Sequence, residues 1–318
     1  MRILAFQWAS GLLVAAGVSA LSAPMDEPIK PLPSTLKQDP ARAEIGRLLF
    51  HDARLSANGK VACVSCHDTT KGGSDGRDRS IGFGGALTGV HAPTVFNAAF
   101  NFKQFWNGRA DSLEGQVDLV VQNPVEMGSR WEAVVAKVAA DAKYRAAFAE
   151  AYPQGVTAAN IRHAIATYER TLITPNSRFD RYLRGDSGAI TANEREGYAR
   201  FKRYGCVACH QGVNVGGNMF QRFGVMGDYF ARRGNLTPAD LGRFEVTHDE
   251  GDRYVFKVPS LRNVALRPPY FHDASAKTLE DAVDVMFRYQ LGRVATQQDK
   301  ALIIDFLRTL NGELEGKP

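Results

Sequence analysis

Apolar residues recur at helical spacing in the first half of the chain. The pattern within Ala41–Phe50 predicts an amphipathic helix, and a run rich in alanine and valine predicts another over Trp131–Tyr144. Thr157 can cap a third helix that runs to about Leu172. The apolar positions that define these helices are Ile45, Leu48, Leu49, Val134, Val135, Val138, Ile161, Ile165 and Tyr168.

The second half of the chain shows the same helical spacing of apolar residues. Thr191 and Glu194 form a capping-box-like start, followed by the aromatic stripe Tyr198, Phe201 and Tyr204. We interpret this stripe as core packing. Two further helices are predicted near the C-terminus, over Leu279–Tyr289 and Gln297–Leu310. Strand signals are sparse, and long glycine-rich loops cover Lys71–Gly89 and Gln211–Gly227. The pattern predicts a mostly α fold.

The N-terminal segment differs from the rest. A basic start at Arg2, an apolar run over Ile3–Val18 and small residues up to Ala23 predict a cleaved signal peptide over residues 1–23. The less favoured alternative is an uncleaved membrane anchor, because the apolar run is short for a membrane span. Residues 24–35 hold four prolines and read as a linker or an extended arm. A periplasmic location follows from the signal peptide.

Composition narrows the classes of protein. The chain has 318 residues, of which 44% are hydrophobic, and a formal net charge of +5. This length allows two domains of ordinary size. No basic run or basic patch interleaved with aromatic residues suggests nucleic-acid binding.

Two short motifs carry the chemistry. Cys63-Val-Ser-Cys66-His67 and Cys206-Val-Ala-Cys209-His210 both read C-x-x-C-H, and they use all four cysteines of the chain. In this pattern two thiols bond to the vinyl groups of a haem and the histidine binds its iron. Thioredoxin-like and zinc sites are weaker alternatives, because neither explains two such complete motifs. We expect two covalent c-type haems, each wrapped by a cytochrome c-like domain. The expected domains span residues 36–177 and 178–318.

The residues alone do not identify the distal ligands of the two irons. Methionine, histidine or no ligand would each be compatible with an iron bound by C-x-x-C-H. We interpret His163 as a core or surface residue, and His51 as a helix cap or propionate partner. The remaining candidates are His91, His248, His272, Met127, Met219, Met226 and Met286.

Several loop motifs around the haem motifs resemble those of the bacterial di-haem cytochrome c peroxidase family, in the same order along both domains. They are Trp106-Asn-Gly-Arg109, Gln122-Asn-Pro-Val-Glu-Met127, Val258-Pro-Ser-Leu-Arg-Asn263 and Pro269-Tyr-Phe-His272. The resemblance implies a peroxide site at the N-terminal haem and an electron-accepting C-terminal haem whose iron is bound by His210 and Met286. A thioether ligand favours ferrous iron and raises the potential.

The same resemblance implies roles at the peroxide site. Glu126 matches the distal residue that acts as acid and base, and Gln116 matches the polar residue that assists it. A carboxyl beside an apolar haem face would have a raised pKa, so it could both accept and return a proton. Trp106 matches the aromatic residue that lies between the two haems. His67 would bind the iron on the other face of the N-terminal haem.

The chain departs from the family at two positions. Where many members have a histidine that closes the oxidised peroxide site, this chain has Phe83, which cannot bind iron. We expect an open site in every redox state; the alternative is that His91 substitutes as ligand. His91 also replaces an asparagine that helps hold calcium between the domains, where Arg267 and Pro269 would offer main-chain oxygens. Calcium binds preferentially to hard oxygen donors, and an imidazole nitrogen is not such a ligand.

The motifs and the resemblance are compatible with three functions. The first is a periplasmic peroxidase that reduces hydrogen peroxide with electrons from a small cytochrome c or cupredoxin. The second is a di-haem oxidase that acts on a protein, of the type that matures methylamine dehydrogenase. The third is an electron carrier without catalysis, which would need two strong distal ligands. A homodimer is compatible with the sequence, although no repeat or heptad establishes one.

Overall fold

Eleven α-helices organise the part of the chain that the structure, a computed structural model, describes, residues 27–313. The helices of the first half are α1 (Pro40–Phe50), α2 (Leu113–Gln122), α3 (Trp131–Ala140), α4 (Ala142–Ala151) and α5 (Ala158–Thr171). Those of the second half are α6 (Arg178–Leu183), α7 (Ala192–Tyr204), α8 (Tyr229–Arg233), α9 (Phe244–Thr247), α10 (Leu279–Val285) and α11 (Gln297–Arg308). The prediction of a mostly α fold is confirmed.

Regular β-structure within residues 27–313 is limited to one antiparallel pair. Strand β1 (Phe220–Arg222) pairs with β2 (Val255–Lys257). A π-helical turn, Met286–Gln290, continues directly from α10. Single π-turns of this kind often mark functional sites. The predicted helix over Leu279–Tyr289 is therefore present, but its second part has a wider hydrogen-bond pattern.

Local capping explains where the helices start. The Thr157 hydroxyl accepts the Asn160 N–H, and Thr191 and Glu194 form the expected capping box. The single helix predicted over Trp131–Tyr144 is wrong. Asp141 has an extended backbone and its carboxylate accepts the Lys143 N–H, so it ends α3 and starts α4. Asp at a helix start explains the break that apolar spacing alone does not reveal.

The two halves repeat one packing arrangement. In the first half α1 crosses α5, and in the second half α7 crosses α11. Each crossing contains a glycine: a Cβ on Gly46 would collide with the Ala164 carbonyl, and a Cβ on Gly197 would collide with the Leu302 carbonyl. Glycine therefore lets the backbones touch at both crossings. The repeat supports two cytochrome c-like units.

Each half has its own apolar core. One cluster includes Ile45, Phe50, Val134 and Phe148, while the other includes Phe201 and neighbouring residues of the second half. No member of the first cluster lies beyond Leu172, and apart from Ile29 the second begins at Phe179. The predicted domain limits, 36–177 and 178–318, remain a prediction.

The proline-rich segment packs on the second half of the chain. Ile29 and Leu32 are fully buried, and Ile29 forms a parallel bridge with Gly212. The Leu32 N–H donates to the Asp180 carboxylate at 3.1 Å. This segment is thus an ordered arm over the described residues 27–35, although it precedes the first domain in sequence.

The predicted signal peptide, residues 1–23, lies outside the described residues. Within residues 27–313, no helix combines the length and apolar character that a membrane span requires.

Candidate active site

Both C-x-x-C-H motifs form the same turn. Each begins with a short 3₁₀ segment, Cys63–Ser65 or Cys206–Ala208. The His67 N–H donates to the Cys63 carbonyl at 2.9 Å, and the His210 N–H donates to the Cys206 carbonyl at 3.0 Å. In each motif the two thiols and the imidazole line one common cavity.

The two motif histidines are oriented alike. Nδ1 of His67 donates to the Gly73 carbonyl and Nδ1 of His210 donates to the Val215 carbonyl, both at 3.3 Å. Burial lowers the pKa of both imidazoles, that of His210 to about 4. With Nδ1 fixed as a donor, each neutral ring presents Nε2 as a metal ligand.

The cavity at His210, here called the C-terminal cavity, is a cleft with about 1360 Å³ of empty space including its mouth. Its wall is largely apolar, and Met286, the first residue of the π-turn, lines it together with His210. The structure therefore brings together the two side chains that the resemblance assigns to one iron.

The cavity at His67, here called the N-terminal cavity, has about 1290 Å³ of empty space. Gln116 of α2 and Glu126 of the following loop both line it, as a shared site requires. Met127 lines it as well and is packed in the first apolar core. The N-terminal cavity thus combines apolar side chains with several polar and charged ones, Gln116 and Glu126 among them.

Glu126 is half-buried, and its carboxyl lacks a full set of hydrogen-bond partners. Its Oε2 has no hydrogen bond, and its Oε1 lies 3.8 Å from a guanidinium nitrogen of Arg109. Burial raises the pKa of the Glu126 carboxyl, and the nearby Arg109 charge partly offsets this. A carboxyl with a raised pKa holds a proton more readily than an exposed glutamate does.

The loop that carries Phe83 supports Glu126 from behind. The Phe83 N–H donates to the Glu126 carbonyl at 2.8 Å. A Cβ on Gly82 would collide with the Val125 carbonyl, so this glycine permits the close approach of the two loops. The Phe83 ring lies against Gly128, and Phe83 is not among the residues that line the N-terminal cavity.

His91 is held in the seam between the halves. Its Nδ1 donates to the Arg77 carbonyl at 2.7 Å, and its N–H donates to the His272 carbonyl at 2.8 Å. The ring is 2% exposed and lines the C-terminal cavity, not the N-terminal one. These contacts argue against His91 as a substitute ligand beside Glu126.

Trp106 lies between the two sites. It lines both cavities, and so does Phe256 of β2. The Trp106 carbonyl accepts the Lys257 N–H at 2.8 Å, which ties the N-terminal half to β2. An aromatic side chain therefore separates the cavities at the position that the resemblance predicts.

Comparison with known proteins agrees with this geometry. A family model described as di-haem cytochrome c peroxidase matches residues 40–188. A cytochrome c551 peroxidase of Nitrosomonas europaea is 43% identical over 95% of this chain and 88% of its own length. The chain belongs to the di-haem cytochrome c peroxidase family.

Two further similarities extend the comparison. The cytochrome c peroxidase Ccp of Escherichia coli is 46% identical over 90% of this chain, which spans 62% of that protein's length. A crystal structure of a MauG-like protein associated with microbial copper homeostasis superposes with a TM-score of 0.79 at 30% identity, and covers 92% of this chain and 95% of that one. The peroxidase and MauG-like branches thus share this fold.

The residues of the C-terminal cavity fit the haem that the family implies. Lys257 and Arg267 are 7% and 8% exposed, line this cavity and have no carboxylate partner among the described residues. Nε of Arg267 has no hydrogen bond at all. Burial lowers the pKa of Lys257 to about 8 and that of Arg267 to about 10. Propionate groups would supply the missing negative charge.

The buried positive charges of Lys257 and Arg267 are unfavourable for calcium binding. Of the three positions suggested by the resemblance, His91 uses its ring on the Arg77 carbonyl and its own carbonyl on Trp106. Arg267 adds a buried positive charge, and Pro269 lines the same cavity. A divalent cation prefers several uncompensated oxygen ligands. Calcium stays a prediction of the resemblance.

Sequence reasoning missed several residues of these sites. Glu169 of α5 lines the N-terminal cavity at 6% exposure, with an Oε2 that has no hydrogen bond. Glu245, from the second half of the chain, lines the same cavity and accepts a hydrogen bond from Asn107. The signal for Glu169 was a lone acid among apolar helix positions, whereas nothing local marks Glu245.

One buried acidic cluster is already neutralised. Asp240, His272 and Asp273 are close enough to bind a metal. However, Arg233 forms ion pairs with both carboxylates, and His272 Nε2 lies 2.8 Å from Asp240. We interpret this cluster as structural.

Proposed function

We propose that the protein is a periplasmic peroxidase that reduces hydrogen peroxide to two waters. Each turnover would consume two electrons and two protons, so H₂O₂ + 2e⁻ + 2H⁺ gives 2H₂O. The observation that carries this proposal is the Glu126 carboxyl, whose Oε2 is buried without a hydrogen bond in the His67 cavity that Gln116 also lines, in a chain from this family. Pure electron carriers have no need for a buried acid at an iron.

Covalent attachment is part of the proposal. Cys63 and Cys66 would bind one haem and Cys206 and Cys209 the other, with His67 and His210 as the iron ligands. Met286 would be the second ligand of the C-terminal iron. The bound haems would supply the redox chemistry, and the protein residues would supply proton transfer and positioning.

Glu126 would act as base and then as acid. Its Oε2, which has no hydrogen bond, would accept a proton from one oxygen of the peroxide and return it to the other, which leaves as water. The amide of Gln116 would orient the peroxide by hydrogen bonding. The raised pKa of Glu126 favours the return of the proton, and Arg109 keeps the carboxylate form accessible.

Electrons would arrive at the C-terminal haem from a small redox protein and pass by Trp106 to the N-terminal haem. Two bound haems would supply the two electrons that each peroxide requires. A homodimer and the cleaved signal peptide are further parts of the proposal that rest on the sequence alone.

A steady-state assay tests the function. Purified protein is given hydrogen peroxide and a reduced small cytochrome c or cupredoxin, and oxidation of the donor is followed by absorbance. We expect two donor molecules to be oxidised per peroxide consumed. Absence of peroxide-dependent oxidation with both donors and with a small-molecule reductant would overturn the proposal.

Oxidation of a protein substrate is the second candidate, because a MauG-like structure shares the fold. Our preference rests on Met286 in the C-terminal cavity, since the related oxidase has a tyrosine ligand at its C-terminal haem. Electron paramagnetic resonance of the oxidised protein distinguishes the peroxidase from the oxidase and from a carrier, because a C-terminal haem without a methionine ligand would favour the oxidase. One low-spin histidine–methionine haem and one high-spin haem favour the peroxidase. Two low-spin haems, with Met127 as the additional ligand, would favour a carrier.

A further inference from the structure

One buried glutamate of the N-terminal cavity has no role in the chemistry described above. Glu169 is 6% exposed and lines this cavity together with Cys63 and His67. Its Oε2 is shielded from solvent and has no hydrogen bond. Buried polar groups without a partner are rare in folded proteins, and a redox or catalytic role is one recognised reason for them.

Helix α5 holds this side chain inside the protein. Glu169 lies in the last turn of α5, three and four residues after the buried Ala166 and Ile165, so the three share one helix face. The neighbouring helix α1 crosses α5 at Gly46, where the absence of a side chain lets the two backbones touch. The carboxyl is therefore fixed in a packed region and has no exposed position within the described fold.

The charges around Glu169 do not neutralise it. Arg170, the next residue, pairs with Glu114 of α2 at 2.8 Å, so its positive charge is already compensated. On α1, Glu44 and Arg47 pair with each other at the surface. Glu169 forms no ion pair among the described residues. Burial raises the pKa of its carboxyl to about 8, and the opposing effects of Arg170 and Glu114 are smaller.

Glu169 lies close to the cysteine that would bond to the haem. Burial, and after it the charge of Glu169, raises the pKa of the Cys63 thiol. Because an electrostatic effect of this kind requires proximity, the carboxyl lies near the haem edge that Cys63 would hold. The other titratable groups that line the cavity are Cys66, His67, Arg109, Glu126 and Glu245.

We propose that Glu169 is a redox-linked proton site of the N-terminal haem, which takes up a proton when that iron is reduced and releases it when the iron is oxidised. This inference rests on the haem attachment that belongs to the proposed function. The electron comes from the C-terminal haem and the proton from water, so Fe(III) + e⁻ + RCOO⁻ + H⁺ gives Fe(II) + RCOOH. The net charge of the cavity stays constant, which matters because charges interact strongly where water is excluded.

The reduction potential of the N-terminal haem should therefore depend on pH. Reduction adds negative charge beside Glu169 and favours its protonated form, so the potential falls as pH rises through the range in which the carboxyl titrates. The slope approaches about 59 mV per pH unit, because a tenfold change in proton concentration corresponds to about 59 mV for one electron. Potentiometric titrations on both sides of about pH 8, followed by electron paramagnetic resonance of the two haems, measure this slope.

Glu169→Gln keeps the shape of the side chain but has no proton to exchange. Its N-terminal haem should have the wild-type potential in acid solution and a higher potential than wild type in alkaline solution, where wild type carries the carboxylate. Glu169→Asp retains a carboxyl and should restore the slope. A wild-type potential that does not change with pH, or a slope that is the same in Glu169→Gln, would overturn the proposal.

The other acid of the cavity needs its own control. Glu126→Gln should keep the slope near pH 8. A slope that is lost in Glu126→Gln and kept in Glu169→Gln would assign the proton to Glu126 and overturn the proposal. Glu150→Gln, an exposed acid on α4, is the matched control and should behave as wild type.

The C-terminal haem is the internal reference. Its potential should be equal in wild type and in Glu169→Gln at each pH, because Glu169 does not line the C-terminal cavity. Equal shifts of both haems would mean a general structural effect of the substitution and would overturn the proposal.

Haem content and peroxide turnover separate this inference from the proposed function. Protein without covalent haem in a pyridine haemochrome assay would refute the haem attachment on which both depend. Two bound haems without peroxide turnover, but with a slope that Glu169→Gln removes, would support the proton site and refute the peroxidase. Normal peroxide turnover with an unchanged slope in Glu169→Gln would do the reverse.

Discussion

The indole Nε1 of Trp106 donates a 2.9 Å hydrogen bond to the main-chain oxygen of His91. Because His91 is itself bonded to the His272 carbonyl, this contact links the N-terminal loops to the C-terminal half. It also fixes the ring of Trp106 where it contributes to both cavities. The family position of Trp106 therefore has a specific anchor in this chain.

Replacement of Trp106 should slow electron transfer between the haems. Trp106→Phe keeps an aromatic ring but loses the bond to His91, so we expect a smaller effect than for Trp106→Ala. The measurement starts with the C-terminal haem reduced and follows its oxidation after mixing with peroxide. Equal rates in wild type and both variants would exclude a role for the ring in this step.

Glu126→Gln should lower kcat/KM for peroxide by about 10²–10⁴-fold, the usual range for loss of a general acid–base. Glutamine keeps the shape but cannot exchange the proton. Glu132→Gln, on the exposed first turn of α3, is the control and should behave as wild type. A Glu126→Gln variant with normal turnover would contradict the assignment.

The reaction with peroxide should also depend on pH through Glu126. Burial raises its pKa above the ordinary value, and the base must be unprotonated to accept the first proton. We therefore expect the rate to fall as pH decreases through this raised pKa. Stopped-flow rates measured against pH should show this limb in wild type, and the Glu126→Gln variant should lack it.

Fully oxidised protein should react with peroxide without prior reduction. Phe83 lies against Gly128 outside the cavity wall, and His91 lines the other cavity. The measurement is the change in haem absorbance after mixing oxidised protein with peroxide, and His91→Asn should react at the same rate. A reaction that requires reduction in wild type but not in His91→Asn would mean that His91 is the substitute ligand.

Removal of calcium should leave turnover unchanged. The buried positive charges of Arg267 and Lys257 occupy the seam where the resemblance suggests a calcium ion. Treatment with EGTA followed by the steady-state assay, with the thermal midpoint as a second readout, tests this expectation. A loss of activity that calcium restores and magnesium does not would show that the site binds calcium after all.

Glu169 should make stability depend on pH. Burial raises the pKa of its carboxyl from 4.5 to about 8. The stability that this group contributes is therefore complete below its unfolded pKa and is lost as pH rises through about 8. We expect the melting temperature of Glu169→Gln relative to wild type to increase from about pH 5 to about pH 9. A difference that stays constant with pH would exclude a buried neutral carboxyl.

The sequence by itself determined the local features of this protein. The helical period, the caps at Thr157 and Thr191 and the two C-x-x-C-H motifs each depend on residues within a few positions of one another. The helical period and the caps are confirmed, except at Asp141, where a capping carboxylate breaks the helix that the apolar period predicts. The haem attachment that the two motifs indicate stays a prediction.

Only the tertiary structure decided how the two halves combine. Phe256 and Glu245 of the second half reach the N-terminal cavity, and Trp106 reaches the C-terminal cavity. The burial of the Glu169 carboxyl and of the Lys257 and Arg267 charges likewise appears only when distant segments exclude water around them. Burial and contacts between remote segments depend on the packing of the whole chain, and local periodicity contains no information about that packing.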